Sequence, residues 1–325
     1  MSASRGLALA LALAGCTGAL DAGTDVHGLL PVDARNPVVI YNDSSSDNWI
    51  GEYAVLLANN GGPPLAGIII TASSYWGNLA DNQAGWQSLL TAAGVSGLGH
   101  LPAITPSTGK PFTRPASGNI DDTPPNKSAG GQAIVTLSQQ LSLPWRPLVV
   151  LAGTQLTDVA DAYLLDHSVV DRVVVVAALG SYAAPNGAMG APNGELDPWA
   201  DWIVAQRFQY VQVSAFYDQT QDVTTARLPD LPSDALGMEM AAKQPNLFTV
   251  TTASDQVSVL SVALPNFAQS VQRAAVDTTA AFDSTQGPPL IPKPDGNVWI
   301  VTQIQAPLAS SCLWNLLLSP GSGCS

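Results

Sequence analysis

Four short apolar runs punctuate the first part of this chain: Val38-Val-Ile-Tyr41, Gly67-Ile-Ile-Ile70, Leu148-Val-Val-Leu-Ala152 and Val173-Val-Val-Val-Ala-Ala178. Each reads as a buried strand, and each is followed by a polar or glycine-rich break and then a helix-like segment. The first break, Asn42-Asp-Ser-Ser-Ser-Asp-Asn48, leads into the amphipathic WIGEYAVLLANN, which predicts a helix from Trp49 to Asn59. Strands alternating with helices predict an α/β fold: a mostly parallel, open sheet with helices on both faces. In such sheets ligands bind beyond the carboxyl ends of the strands, where loops converge and helix N-termini point at them. Asp43, Asp47 and Asn48 are therefore candidate site residues. Residues 101–127 form the exception to the alternation. They are rich in Pro, Ser, Thr, Gly and Asn, and too long for a routine connection, so they are expected to fold over a sheet edge or over the site.

The 325 residues are 46% hydrophobic, enough for one large domain with a substantial core. A net charge of −13, with no Lys/Arg run, argues against a polymeric nucleic acid as partner. The amino terminus changes the picture further. One arginine, Arg5, precedes the apolar run Gly6 to Ala14, far short of a membrane span, which is the pattern of an export signal. The run ends Leu13-Ala-Gly-Cys16, similar to a bacterial lipobox in which Cys16 carries the lipid anchor; an ordinary signal peptide with a chance cysteine is the alternative. The expected organisation is a signal over 1–15, a tether over 16–35 and a single domain over 36–325. The protein would then be an exported bacterial lipoprotein at the outer membrane or periplasmic face, since Thr17 is not the aspartate associated with inner-membrane retention. The remaining cysteines, Cys312 and Cys324, read as a disulfide closing a short carboxyl-terminal loop.

The order of several segments resembles the inosine-uridine nucleoside hydrolase family. That family opens with a strand, a D-T-D-x-G-x-D-D loop, a helix and a strand of the form G-I-T-T-V-A-G-N. Here the loop is Tyr41 to Asn48, and Gly67 to Ser74 follows. A second block, Arg146 to Ala160, is similar to the family's strand with T-G-P-L-T-N and a helix. A third, Asn193-Gly-Glu-Leu-Asp-Pro-Trp-Ala, matches N-x-x-x-D-P-x-A, and a fourth, Ser233-Asp-Ala-Leu-Gly, falls where the family has H-D-P-L-A-V.

The resemblance implies hydrolysis of the N-glycosidic bond of a nucleoside or related N-riboside with a calcium ion, which takes six to eight oxygen ligands. Position by position it makes Asp43 ligand and general base, and Asp47 a ribose-hydroxyl ligand. Asn48 replaces a ligand aspartate, Gly153 falls at a main-chain carbonyl ligand, and Asp234 completes the metal set. Asn193 matches a ribose-binding asparagine, and the asparagine after the second strand is Asn78 with an insertion or Ser74 by direct counting. Tyr41, Ser45, Ala191 and Ser233 depart from the family pattern. Asn48, Tyr41, Ser233 and Ala191 motivate a second reading, a non-catalytic descendant that binds a sugar-bearing ligand or glycan. In a third, a structural lipoprotein without ligand, the aspartates only cap helices, as Asp47 is placed to do.

For leaving-group activation, His100 is the candidate histidine, whereas His27 falls in the tether and His167 at a helix-strand junction. Trp49, Tyr75 and Trp76 are candidates to stack a base, or core residues. The family often forms dimers or tetramers, which allows a homo-oligomer. An EF-hand reading of Asp43 to Ala54 fails for want of the sixth-position glycine and the terminal glutamate. G-x-S-x-G, H-E-x-x-H, G-x-x-x-x-G-K and G-x-G-x-x-G are all absent.

Overall fold

A computed structural model describes residues 29–43, 62–74, 77–99, 101–178, 192–213, 223–224, 229–243, 250–251, 256–264 and 266–319. The predicted helix over 49–59 lies outside them, as do Cys16, Asp47, Asn48, Tyr75, Trp76, His100 and Cys324.

The four apolar runs are strands β1 (Val38–Asn42), β2 (Leu65–Ile70), β4 (Leu148–Gly153) and β5 (Val173–Ala178). With β3 (Ile104–Pro106) and β6 (Gln209–Val213) they form a parallel array. Three further strands extend the sheet beyond β6: β9 (Ala268–Val276), β10 (Leu290–Pro292) and β11 (Val298–Ile304). The sheet has nine strands in the order β10-β9-β11-β6-β5-β4-β1-β2-β3, with β9 antiparallel to both its neighbours. A separate two-stranded ribbon pairs β7 (Val223–Thr224) with β8 (Val250–Thr251).

Both faces are covered, which is why the central strands are continuously apolar. Val38, Ile40, Ile68, Ile70, Val149, Leu151, Val174 and Val176 share one core with helices α1 (Leu79–Val95), α6 (Ala235–Lys243), α7 (Gln256–Ala263) and α8 (Ala306–Leu318). The alternate positions Val39, Tyr41, Ile69, Val150, Ala152, Val173, Val175 and Ala177 face α2 (Ala129–Leu141), α3 (Thr157–Leu165) and α5 (Pro198–Arg207). The short helix α4 (Pro192–Leu196) leads into α5.

Residues 107–128 do not close over the sheet edge alone. The segment leaves the carboxyl end of β3, where the Ser107 N–H donates to the Ile70 carbonyl at 2.8 Å, and then runs across the outer surface of α3 and α5. Buried carboxylates fasten it there. Asp197 Oδ2 accepts from the Phe112 N–H at 3.1 Å. Asp161 accepts from the N–H groups of Asn126 and Lys127 on Oδ1, and from the N–H and hydroxyl of Ser128 on Oδ2, at 2.7, 3.2, 2.7 and 2.6 Å. Between these ties the Trp199 indole donates to Thr123 Oγ1 at 2.9 Å, and the Arg114 guanidinium lies 5.6 Å from the Trp199 ring and 5.5 Å from that of Phe282.

Candidate functional site

Asp43 directly follows β1 and is only 3% exposed. Its surroundings are fixed by backbone groups at neighbouring strand ends. The Thr71 N–H donates to the Asn42 carbonyl at 2.9 Å, and the Asn82 amide donates to the carbonyls of Asp43 and Thr71. Gln155 ties the next strand in, its amide donating to the Ala72 carbonyl at 3.0 Å. Asn82 and Gln155 are buried polar residues that hold the carboxyl ends of β1, β2 and β4 together. Asn82 is a lone amide within α1 and Gln155 a lone amide in the loop between β4 and α3, and neither position carries a periodic signal in sequence.

Several expected site residues gather at this edge. Gly153, the last residue of β4, lies opposite Asn42 in the parallel register, one residue from Asp43. The Asn193 amide donates to the carbonyl of Ala178, the last residue of β5, at 2.9 Å. Asn78 begins α1, where its side-chain oxygen accepts from the Ala80 N–H at 3.0 Å. In this arrangement Asn78 and Asn193 hold backbone, one as a helix cap and the other as a brace between α4 and β5.

Asp234 is elsewhere. Asn82, which touches Asp43, and Ser96, whose hydroxyl accepts from the Leu236 N–H, lie fourteen residues apart at opposite ends of α1, about 21 Å at 1.5 Å per residue. The Ser88 hydroxyl donates to Glu239 Oε1, so α6 runs antiparallel to α1 and starts at the amino-terminal edge of the sheet. Asp234 is thus carried away from Asp43, and its Oδ1 caps its own helix by accepting from the Gly237 N–H at 2.7 Å. The structure therefore does not bring Asp234 together with Asp43: Asp234 precedes a helix, α6, whose start packs against the far end of α1.

His167 stacks on Tyr163 with ring centroids 4.5 Å apart, at the junction of α3 and β5. Cys312 is 2% exposed on α8.

Behind the edge lies a row of buried acids not anticipated as a group: Asp158 and Asp161 on α3, Asp197 before α5 and Asp201 within it. Burial pushes the Asp158 carboxyl up, opposed by the hydroxyls of Ser107, Ser128 and Tyr41. The Asp158 N–H donates to the Tyr41 hydroxyl at 3.3 Å. Tyr41 itself is held neutral, its pKa raised well above the usual value by burial and by the nearby Asp158 charge. Asp197 is pushed up to about 6 by burial, against the hydrogen bonds it accepts from Thr157, Ala200 and Phe112. A Cβ on Gly130 would meet the Asp158 carboxylate closer than 2.5 Å, so only glycine lets α2 approach α3 here. The legible signal was acids three or four apart, Asp158/Asp161 and Asp197/Asp201, on otherwise apolar helices.

Among the described residues no group of three His, Cys, Asp or Glu side chains is placed to hold a metal ion. At the edge they supply Asp43 and, one register position away, the Gly153 main chain, short of a calcium shell.

Solved structures share this architecture. An inosine-guanosine nucleoside hydrolase matches with a TM-score of 0.57 at 14% identity, over 87% of this chain and 99% of its own. The type III effector protein XopQ complexed with adenosine diphosphate ribose matches at 0.59 and 12%, over 91% and 96%. A nucleoside hydrolase-related hypothetical protein from Saccharophagus degradans, described as associated with carbohydrate metabolism, matches at 0.57 and 15%, over 88% and 71%. The fold is nucleoside hydrolase-like. No protein-family model matches the chain, and no curated protein matches it in sequence.

Proposed function

We propose that the carboxyl edge of β1 and β4 binds the ribosyl part of a nucleoside or related N-riboside, with Asp43 as its acidic group. The observation that carries this reading is Asp43 itself, an acid 3% exposed at the carboxyl end of a central parallel strand, one residue from the register partner of Gly153. Ligands of α/β sheets collect at that edge. The likeness of fold to an inosine-guanosine nucleoside hydrolase and to a protein complexed with adenosine diphosphate ribose supports the ligand class.

In the first form of the proposal the protein is a hydrolase. Asp43 removes a proton from the attacking water, whose oxygen bonds to the anomeric carbon as the C–N bond breaks with oxocarbenium character, and the departing base takes up a proton. Asp47, Asn48 and the Gly153 carbonyl would join Asp43 around a calcium ion, which supplies Lewis-acid activation of water when bound. Asn193 and Asn78 would contact the sugar by leaving the backbone groups they hold. In the second form the edge binds the riboside without turnover, a reading favoured by the displacement of Asp234 to the far end of α1.

Export and a diacylglyceryl anchor on Cys16 belong to the same proposal, as does a Cys312–Cys324 disulfide. Their support is the sequence Leu13-Ala-Gly-Cys16 after an apolar run, and the isolated cysteine pair at the carboxyl end.

The test is free-sugar release from a panel of purine and pyrimidine nucleosides, with added calcium and with chelator, alongside calorimetric titration of ADP-ribose. Calcium-dependent release that is abolished in Asp43→Ala, at unchanged melting temperature, establishes the hydrolase. Binding without release, weakened at least tenfold in Asp43→Ala, establishes the second form. Failure of both in a folded protein refutes the site.

A further inference from the structure

We infer that the amino-terminal edge of the sheet, centred on the turn carrying Trp145, rests on the bilayer that holds the lipid anchor, so that the Asp43 edge points away from the membrane. The inference rests on the anchored reading of Cys16.

Large apolar side chains are exposed at few places among the described residues, and several of those share one edge. Trp145 is 60% exposed, Leu143 41%, Leu29 53% and Val95 74%. Leu143 and Arg146 pair across a tight turn just before β4, with Trp145 inside it. Val95, the last residue of α1, is on the same edge but precedes Ser96, which meets the acidic start of α6, and so stands apart from the Trp145 patch. Leu29 opens the described chain, and Pro31, two residues on, lines the same shallow cavity as Trp145, Pro147, Asp171 and Gln209, about 230 Å³ in volume. The Asn36 amide donates to the Pro147 carbonyl at 2.8 Å, which fastens the entering chain beside this turn.

The occupant follows from where the chain enters. Cys16 precedes Leu29 by thirteen residues, which span at most about 45 Å when fully extended. An anchor on Cys16 brings the chain to the bilayer through this edge, which is the part of the described domain nearest to it along the chain. The chemistry fits an interface and not a protein groove. A tryptophan at the tip of a turn, with the Arg146 guanidinium 5.5 Å from its ring, presents an apolar body with a polar rim, as side chains at headgroup depth do.

Charge agrees. The chain carries −13 overall. Around the turn, however, Asp33 is paired with Arg35 and Asp166 with Arg172, and Arg146 adds a cation beside Trp145. Asp230 and Asp234, at the start of α6, lie on the other side of this edge near Ser96. Among the described residues no helix is long and apolar enough to cross a membrane, so contact would be superficial.

The experiment uses the full chain, purified from membranes with its own leader processed and placed in phosphatidylcholine vesicles with or without dibrominated acyl chains. Intact mass and flotation report the anchor, while bromolipid quenching of tryptophan emission reports the edge. The expected result is a diacylglyceryl mass on Cys16, flotation of both wild type and Trp145→Phe, and a bromolipid-quenched component in wild type that Trp145→Phe loses. Equal quenching in both proteins, with the anchor present and both floating, overturns the orientation alone. A chain without the lipid mass that stays at the bottom of the gradient overturns the anchor and the orientation together.

Discussion

Replacing Asp197 by asparagine separates one buried titration from the rest of the chain. Asp197 is fully buried, its Oδ2 accepting from the Thr157 hydroxyl at 2.7 Å and the Phe112 N–H at 3.1 Å, its Oδ1 from the Ala200 N–H at 3.1 Å. Burial outweighs these bonds and lifts its pKa from 3.8 to about 6. A shift of about 2 units corresponds to about 3 kcal/mol of differential stabilisation. The folded chain holds this proton more tightly than the unfolded chain does. The stability it contributes is therefore fully present below pH 3.8 and is lost as pH rises through about 6. Asparagine keeps one acceptor and cannot titrate, so it shifts the level of stability and removes this slope. Denaturant unfolding of both proteins, followed by tryptophan fluorescence from about pH 3.5 to about pH 7, should show wild type losing about 3 kcal/mol relative to Asp197→Asn. A wild-type minus variant difference that stays constant across this window would refute the assignment of a raised pKa to Asp197.

Gly130→Ala should cost about 1–3 kcal/mol in the same unfolding assay, because the added methyl meets the Asp158 carboxylate and Ile69 Cγ2 at the α2–α3 contact. Asp234→Ala should cost about 1 kcal/mol, the value of a lost helix cap. It should leave riboside binding unchanged within twofold; loss of binding would return Asp234 to the site.

The strands that position the site were legible for a definite reason. A strand covered on both faces must be apolar at every position, and the runs at β1, β2, β4 and β5 are each buried throughout or nearly so. β9 is half exposed along most of its length and includes Arg273, whose guanidinium stacks on Trp299, so neither run length nor alternation marks it. The placement of Asp43 at a carboxyl edge followed from the strand end, whereas Gly153 was named only through the family resemblance. The placement of Asp234 did not follow, because a helix start says nothing about which edge it reaches until the helix is packed. The acids that secure residues 107–128 escaped for a related reason. Their partners are main-chain N–H groups of Phe112, Asn126, Lys127 and Ser128, and a backbone donor has no signature in sequence.

The two outermost strands of the sheet, β3 and β10, are each three residues long, and each ends in a proline, Pro106 and Pro292. Proline has no N–H to offer a further strand, and a three-residue edge presents little ladder for one to join. Growth of the sheet by a strand from another molecule is discouraged at both ends. Crowded copies would therefore meet through helices and loops, and would be protected from zipping into a shared ribbon.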